Sequence, residues 1–341
     1  MRWTGTLVLL LVTVAVGAYV SLYELHRPTR EELEEQAHEV LDVAPDQITE
    51  IRIAAPKLTA TLTRAQERWR LTAPVHARAD EATVLRLLYF LHPLGTSRVL
   101  KGTAAKPLAF ADYGLAPPKA TLSLTTASGP VTLAFGEATA VGSSSYVQRD
   151  GDPAVYVVRG YVFDTLNQSL EQYRAHTVLE IDPAALTRLA VASAQSTYTL
   201  ERSASPLPDK TSTPPPESWR LTAPTAEAAE ANKVAHLISA LRGLRAERFV
   251  SDAPTPEQLA QWGLTEPASR VTMTLRDVSE PVELLIGGAV PDQAAWRYVK
   301  VSTEPGVSVV EASQAEPLWI DPSTLRPTPT PSASPAPSPS S

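Results

Sequence analysis

His38-Glu39-Val40-Leu41-Asp42 is the chain's nearest approach to His-Glu-x-x-His. In that motif two histidines one helical turn apart hold zinc and the glutamate takes a proton from the bound water. Aspartate stands where the second histidine is needed, so the string belongs to an acidic stretch and no metal site is expected. His76, His92, His176 and His236 are scattered, without Asp or Ser at telling spacing, and read as surface or structural histidines. Gly142-Ser143-Ser144-Ser145 lacks the second glycine of a nucleophile elbow and reads as a turn. Gly287-Gly288 has neither the spacing nor the Lys-Ser/Thr of a phosphate loop. Asp150 and Asp152 would suit a glycosidase only if folding placed partner carboxylates roughly 5 to 9 Å apart. Beside Gly151 and Pro153 they read as hairpin-turn residues. With 0 cysteines there is no thiol nucleophile, thiolate metal site or disulfide. The expectation is a protein with no catalytic residue, metal or cofactor.

Aromatic side chains are the remaining candidates, because exposed rings bind sugars and protein partners. Trp69-Arg70-Leu71-Thr72-Ala73-Pro74 recurs unchanged as Trp219-Arg220-Leu221-Thr222-Ala223-Pro224, an offset of 150 (219 minus 69). An identical Trp-containing hexapeptide points to duplication. Trp69, Leu71, Trp219 and Leu221 alternate as inward strand positions, and Pro74 and Pro224 end the strands. These are core anchors. Trp296 has Ser144 as its counterpart and is therefore the candidate partner-binding residue.

The elements that position these residues repeat as well. Ile51 and Ile53 correspond to Leu189 and Val191, and Thr61-Leu62 to Thr199-Leu200, at an offset of 138 (189 minus 51). A polar, Pro-rich loop at 203–216 then raises the offset; proline cannot donate to a ladder, so this loop is an exposed hairpin connection. Val84, Leu87, Leu88, Leu91 and Leu94 form one helical face, and Val234, Leu237, Ile238, Leu241 and Leu244 repeat it. Tyr113-Gly114-Leu115 pairs with Trp262-Gly263-Leu264, Gly136 with Gly287, and Tyr146-Val147 with Tyr298-Val299. Each unit is expected to hold two or three strands, a helix, a helical turn, four strands and a closing helix. Short turns between successive strands imply mainly antiparallel sheets, so the fold class is α+β.

Residues 4–23 carry no charge, about the length a helix needs to cross hydrocarbon. Val16-Gly17-Ala18 would also suit signal-peptide cleavage, but apolar residues continue to Tyr23, which favours an uncleaved anchor. Arg2 before the run and a bulky domain after it favour a single pass with the N-terminus inside. The expected organisation is a cytoplasmic N-terminus (1–3), a transmembrane anchor (4–23), an acidic helical spacer (24–47) whose helix runs from Pro28 through Leu41, a first repeat (48–176), a second repeat (177–322) and a disordered Pro/Ser/Thr-rich tail (323–341). The bulk of the chain is then extracytoplasmic at the cell membrane. A net charge of -7 without a Lys/Arg cluster argues against a nucleic-acid partner.

The single N-terminal span, Trp-x-Leu-x-x-Pro, the acidic-capped aliphatic helix, Tyr113-Gly114-Leu115, Gly136 and Tyr146-Val147 together resemble the domain-of-unknown-function 4340 family. These are bacterial envelope proteins often encoded beside gliding-motility-type ABC transporter components. The resemblance runs from residue 1 to about 320 and is clearest from Ile48 to Tyr156. Trp262 in place of tyrosine, the loop at 203–216 and the tail depart from it. It implies an address and a neighbourhood, and supplies no catalytic residues. The leading expectation is a membrane-anchored extracytoplasmic binding or scaffold protein, an accessory of an ABC-type envelope transport system, with the bilayer and an envelope protein as partners. The alternatives are an envelope hydrolase or glycan-processing enzyme with an unrecognised carboxylate site, and a cell-wall-associated adhesive protein.

Overall fold

The computed structural model describes residues 39–140, 143–203, 218–276 and 278–327. The expected anchor (4–23), most of the acidic spacer, the core of the Pro-rich loop and the end of the tail lie outside the described residues. Among the described residues, no helix is long and apolar enough to cross a membrane.

Alternating apolar residues build the first set of strands: β1 (Glu39–Leu41), β2 (Ile48–Ala55), β3 (Leu58–Ala65), β4 (Arg68–Ala73) and β5 (Ala77–Arg78). Helix α1 (Glu81–Leu91) follows, then β6 (Leu94–Gly95), β7 (Arg98–Leu100), β8 (Ala120–Thr126), β9 (Gly129–Ala138), β10 (Ser144–Arg149), β11 (Val155–Arg159) and the short helix α2 (Tyr161–Leu166). The second set is β12 (Leu186–Ser193), β13 (Thr197–Arg202), β14 (Trp219–Ala223), β15 (Glu227–Ala229), α3 (Ala231–Gly243), β16 (Arg248–Ser251) and α4 (Pro256–Gln261). It continues with β17 (Ser269–Leu275), β18 (Val282–Val290), β19 (Gln293–Val301), β20 (Val307–Glu311) and α5 (Ala312–Ala315).

Two nine-stranded sheets result, with orders β5-β4-β3-β2-β8-β9-β10-β11-β7 and β15-β14-β13-β12-β17-β18-β19-β20-β16. Position by position these are the same topology. Register is repeated too: Ile51 faces Leu62 and Leu124, while Leu189 faces Leu200 and Met273. The pairings are antiparallel, as short connections require. Two turns that differ in sequence thus serve the same hairpin. In the second copy Ser203 N–H donates to Ser218 O at 2.8 Å, closing the hairpin beneath the Pro-rich loop. In the first, Gln66 and Glu67 take φ of 49° and 65°. Two consecutive left-handed residues make the tight turn that suits strand twist, and Asn-Gly occupies it at least cost. Replacing Gln66-Glu67 by Asn-Gly is therefore expected to raise stability by about 1 kcal/mol, read as an upward shift of the thermal midpoint.

Three expectations need correction. Residues 39–41 are a strand, not the end of a helix, because Val40 and Leu41 are buried and β1 pairs with β6. Helix α1 stops at Leu91: Pro93 disfavours helical backbone at His92, and buried Leu94 joins β6 instead. Residues 323–327 are folded, with a 3₁₀ turn over Pro322–Leu325 whose Leu325 is buried in a core cluster. By its contacts the chain divides into a first unit of residues 39–69 and 81–173 and a second of 70–80 and 174–327, while β4 and β5 remain strands of the first sheet. Residues 70–80 join the second unit through Arg78, which donates to the carbonyls of Thr177 and Val178, and through ion pairs described below.

Candidate functional site

The shared anchors lie in the cores. Trp69 and Trp219 are 3% and 5% exposed, and Leu71 and Leu221 are buried beside them. Trp69 N–H donates to the Glu81 carboxylate at 2.7 Å, tying the hexapeptide to the first turn of α1. Pro74 and Pro224 follow the last residues of β4 and β14. Gly114 and Gly263, at φ of 66° and 67°, turn the chain after a 3₁₀ turn (Phe110–Tyr113) and after α4. The returning segment passes so close to the sheet that a Cβ on Gly136 would stand 2.1 Å from Tyr113 O, and one on Gly287 2.3 Å from Trp262 O. Both glycines of each copy are thus needed for one packing event.

Trp296 is half-buried, with the Arg248 guanidinium 5.6 Å from its ring centre. It packs on a secondary cluster with Leu264, Val290, Tyr298, Val307 and Val309. There Trp262 stacks on Tyr298 at 5.4 Å, where the first copy sets Tyr113 edge-on to Tyr146 at 5.0 Å. Trp296 therefore extends an aromatic pair that both copies possess.

The densest charged constellation was missed by the sequence reading. Within the second unit, Glu304 receives Arg70 at 3.1 Å and Arg78 at 3.4 Å; Arg78 also pairs with Glu180 at 3.5 Å. Arg174 pairs with Asp252 at 2.7 Å and lies 3.7 Å over the Phe249 ring. The cavity beside them is only about 60 Å³, room for a few waters. Arg70 and Arg78 converge on one carboxylate and leave space for water alone, so this cluster fixes chain positions. Partners 234 residues apart carry no local signal.

A cleft of about 490 Å³ lies in the first unit and is lined by Lys101, Thr103, Leu108, Phe110, Asp152 and Pro153 among others. Asp152 does sit in the turn between β10 and β11, as expected, and accepts from Ala154 N–H at 2.8 Å and from the Tyr156 hydroxyl. The Tyr156 hydrogen bond, and then the Ala154 amide, hold Asp152 below the ordinary carboxylate range against the opposing effect of burial. Burial, followed by the bond to Asp152, pushes the Tyr156 phenol up to about 12. At neutral pH this pair is phenol and carboxylate. A folded value above the ordinary 10.0 means that its stabilising contribution is whole below pH 10 and lost as pH rises towards 12. Asp152→Asn should bring the Tyr156 ionisation part of the way back, because burial remains. Absorbance titration at 295 nm, with Tyr156→Phe as the blank, reads the shift.

His92 stands 3.2 Å from Asp42, and His176 Nδ1 is 2.8 Å from Ala246 O, so both have structural neighbours. His236 is exposed on α3 and His76 lines the small cavity. Among the described residues, no group of three or more His, Asp or Glu side chains could hold a metal ion.

The remaining surface feature is apolar. Leu85, Tyr89 and Tyr161 are exposed, and the Phe90 ring lies 4.5 Å from that of Tyr161. At the same offset of 150 the second copy has Ala235, Ser239 and Ala240 for Leu85, Tyr89 and Phe90. Comparing the outward positions of the two helices would have found this patch; the search for shared residues passed it over.

Neither a curated protein nor a solved structure matches the chain. The family described as domain of unknown function (DUF4340) matches residues 69–218 and again 219–329. Each match starts at the tryptophan of a hexapeptide, and together they span more than half of the sequence. On those two consecutive units, the chain belongs to the DUF4340 family.

Proposed function

We propose that this chain is a membrane-anchored, extracytoplasmic binding and scaffold module that serves an envelope assembly, with ABC-type transport components as the partner class. Residues 4–23 supply the anchor, and the two sheet units supply a rigid support. The observation that carries the reading is the contrast between interior and exterior. Burial along α1 and α3 is the same at residues 84–90 and 234–240, yet the exposed side chains differ in size and polarity. Shared cores with divergent surfaces suit a duplicated support whose copies meet different neighbours.

Isolation of the full chain from its native membranes in mild detergent tests this. A stoichiometric envelope partner, cross-linked from a photoreactive residue placed at Trp296, is the expected result. No partner, together with turnover of an envelope substrate by the purified chain, overturns it. The hydrolase alternative would centre on the 490 Å³ cleft beside Asp152, and would require Asp152→Asn to abolish that turnover.

A further inference from the structure

We infer that the first unit rests directly on the lipid surface through a patch formed by Leu85, Tyr89, Phe90 and Tyr161, with Arg159 at its rim meeting lipid phosphates. This rests on the reading of residues 4–23 as an anchor. Among the described residues, four large hydrophobic side chains are exposed, and three of them, Leu85 (53%), Tyr89 (73%) and Tyr161 (42%), gather here. Phe90 bridges them, its ring 6.0 Å from Tyr89 and 4.5 Å from Tyr161. A groove of about 330 Å³ opens beside these rings, with Pro93, Thr96 and Arg159 in its wall.

Folding does not demand this exposure. The second copy keeps the same buried positions on α3 and places Ala235, Ser239 and Ala240 outward. Glu311 stands there at the position of Arg159, 152 residues on (309 minus 157 for the aligned valines). The patch and its positive rim are therefore additions made in one copy only.

The chain's path identifies the occupant. Strand β1, where the described chain begins, pairs Glu39 with Gly95 and Leu41 with Leu94, and Asp42 meets His92 at 3.2 Å. The N-terminal segment thus reaches the unit at the rim of the groove. Residues 24–38 separate that point from the end of the uncharged run at Tyr23, and fifteen residues reach at most about 50 Å. An anchor at 4–23 would tether the unit to the bilayer from this side, within that reach. The patch's composition fits that place. Tyrosine joins an apolar ring to a polar tip, arginine offers planar donors to phosphate, and both settle at the boundary between headgroups and acyl chains. Arg159 is exposed at the end of β11 and lines the groove.

The absence of cysteine makes the test direct, since one introduced cysteine takes one spin label. The full chain is reconstituted in nanodiscs of phosphatidylcholine and phosphatidylglycerol, labelled singly at Leu85→Cys, Ala235→Cys or Leu10→Cys. Power saturation then compares collisions with lipid-soluble oxygen and with a water-soluble nickel chelate. Oxygen should dominate at position 85 and nickel at 235, with position 10 deep in hydrocarbon. Adding Arg159→Gln should weaken the contact about fivefold, the effect of about 1 kcal/mol for a cationic residue near an anionic surface. If position 10 lies in hydrocarbon while 85 matches 235, the patch does not touch lipid and the inference fails with the anchor intact. An aqueous position 10 removes the anchor and the inference together. A label at 85 that is open to nickel in nanodiscs but immobilised in native membranes assigns the patch to a protein and also overturns it.

Discussion

Trp219→Ala should lower stability by about 3–5 kcal/mol, the range for deleting a buried indole that its surroundings cannot refill. Trp219 is 5% exposed within a cluster that includes Leu221, Val234, Leu237, Leu241 and Val271. Its ring also carries the Arg202 guanidinium at 5.1 Å, and Arg202 and Trp219 face each other across β13 and β14. The loss therefore reaches the strand pair as well as the core. Trp69→Ala should cost a similar amount, and half-buried Trp296→Ala about 1–2 kcal/mol. Urea denaturation followed by circular dichroism gives the order; a Trp296 variant as damaged as Trp219 would contradict the packing described here.

Gly287→Ala is the second large expectation, at about 2–4 kcal/mol. The added methyl would lie 2.3 Å from Trp262 O, and backbone cannot swing aside as a flexible side chain can. Gly288 N–H donates to that same Trp262 O at 2.8 Å, so moving the carbonyl would cost a hydrogen bond too. Gly136→Ala should behave alike because Tyr113 O is 2.1 Å from its built Cβ. Gly288→Ala is the internal control: its nearest neighbour is 3.6 Å away, an ordinary contact. A change within about 0.5 kcal/mol is expected there. Equal losses at 287 and 288 would show that general loss of glycine flexibility, and not the close approach, sets the cost.

The readable parts of this fold were those with a local period or an internal copy. Ile51, Ile53 and Leu62 alternate, Val84 to Leu91 recur at helical spacing, and duplication confirmed each assignment at a second place in the chain. The edge strands β5 and β7 escaped because two or three residues show no period. The end of α1 was overrun because Leu94 continues the helical spacing although Pro93 breaks the backbone. Residues 323–327 were read as tail because their composition is polar, yet the single buried Leu325 is enough to dock them. Trp69 and Trp219 are buried at the inward positions that their alternation with Leu71 and Leu221 indicates, and Asp152 lies in the expected turn. Arg78 with Glu304 could not be read, since neither residue has a pattern that points across the chain. Tyr89 and Tyr161 were visible in principle, as large residues whose copies are small.

Both sheets end in very short strands, of two and three residues at β5 and β7 and of three and four at β15 and β16. Two domains of the same topology in one polypeptide invite exchange, with a strand of one copy completing the sheet of the other during folding. Long free edges would encourage that exchange and would also let neighbouring molecules add strands to one another. Here the bordering ladder is only a few bonds long at either side, so a wrongly recruited strand gains little before it must leave the edge. The brevity of four marginal strands thus lets a tandem duplication keep an identical hexapeptide in both halves without paying in cross-pairing.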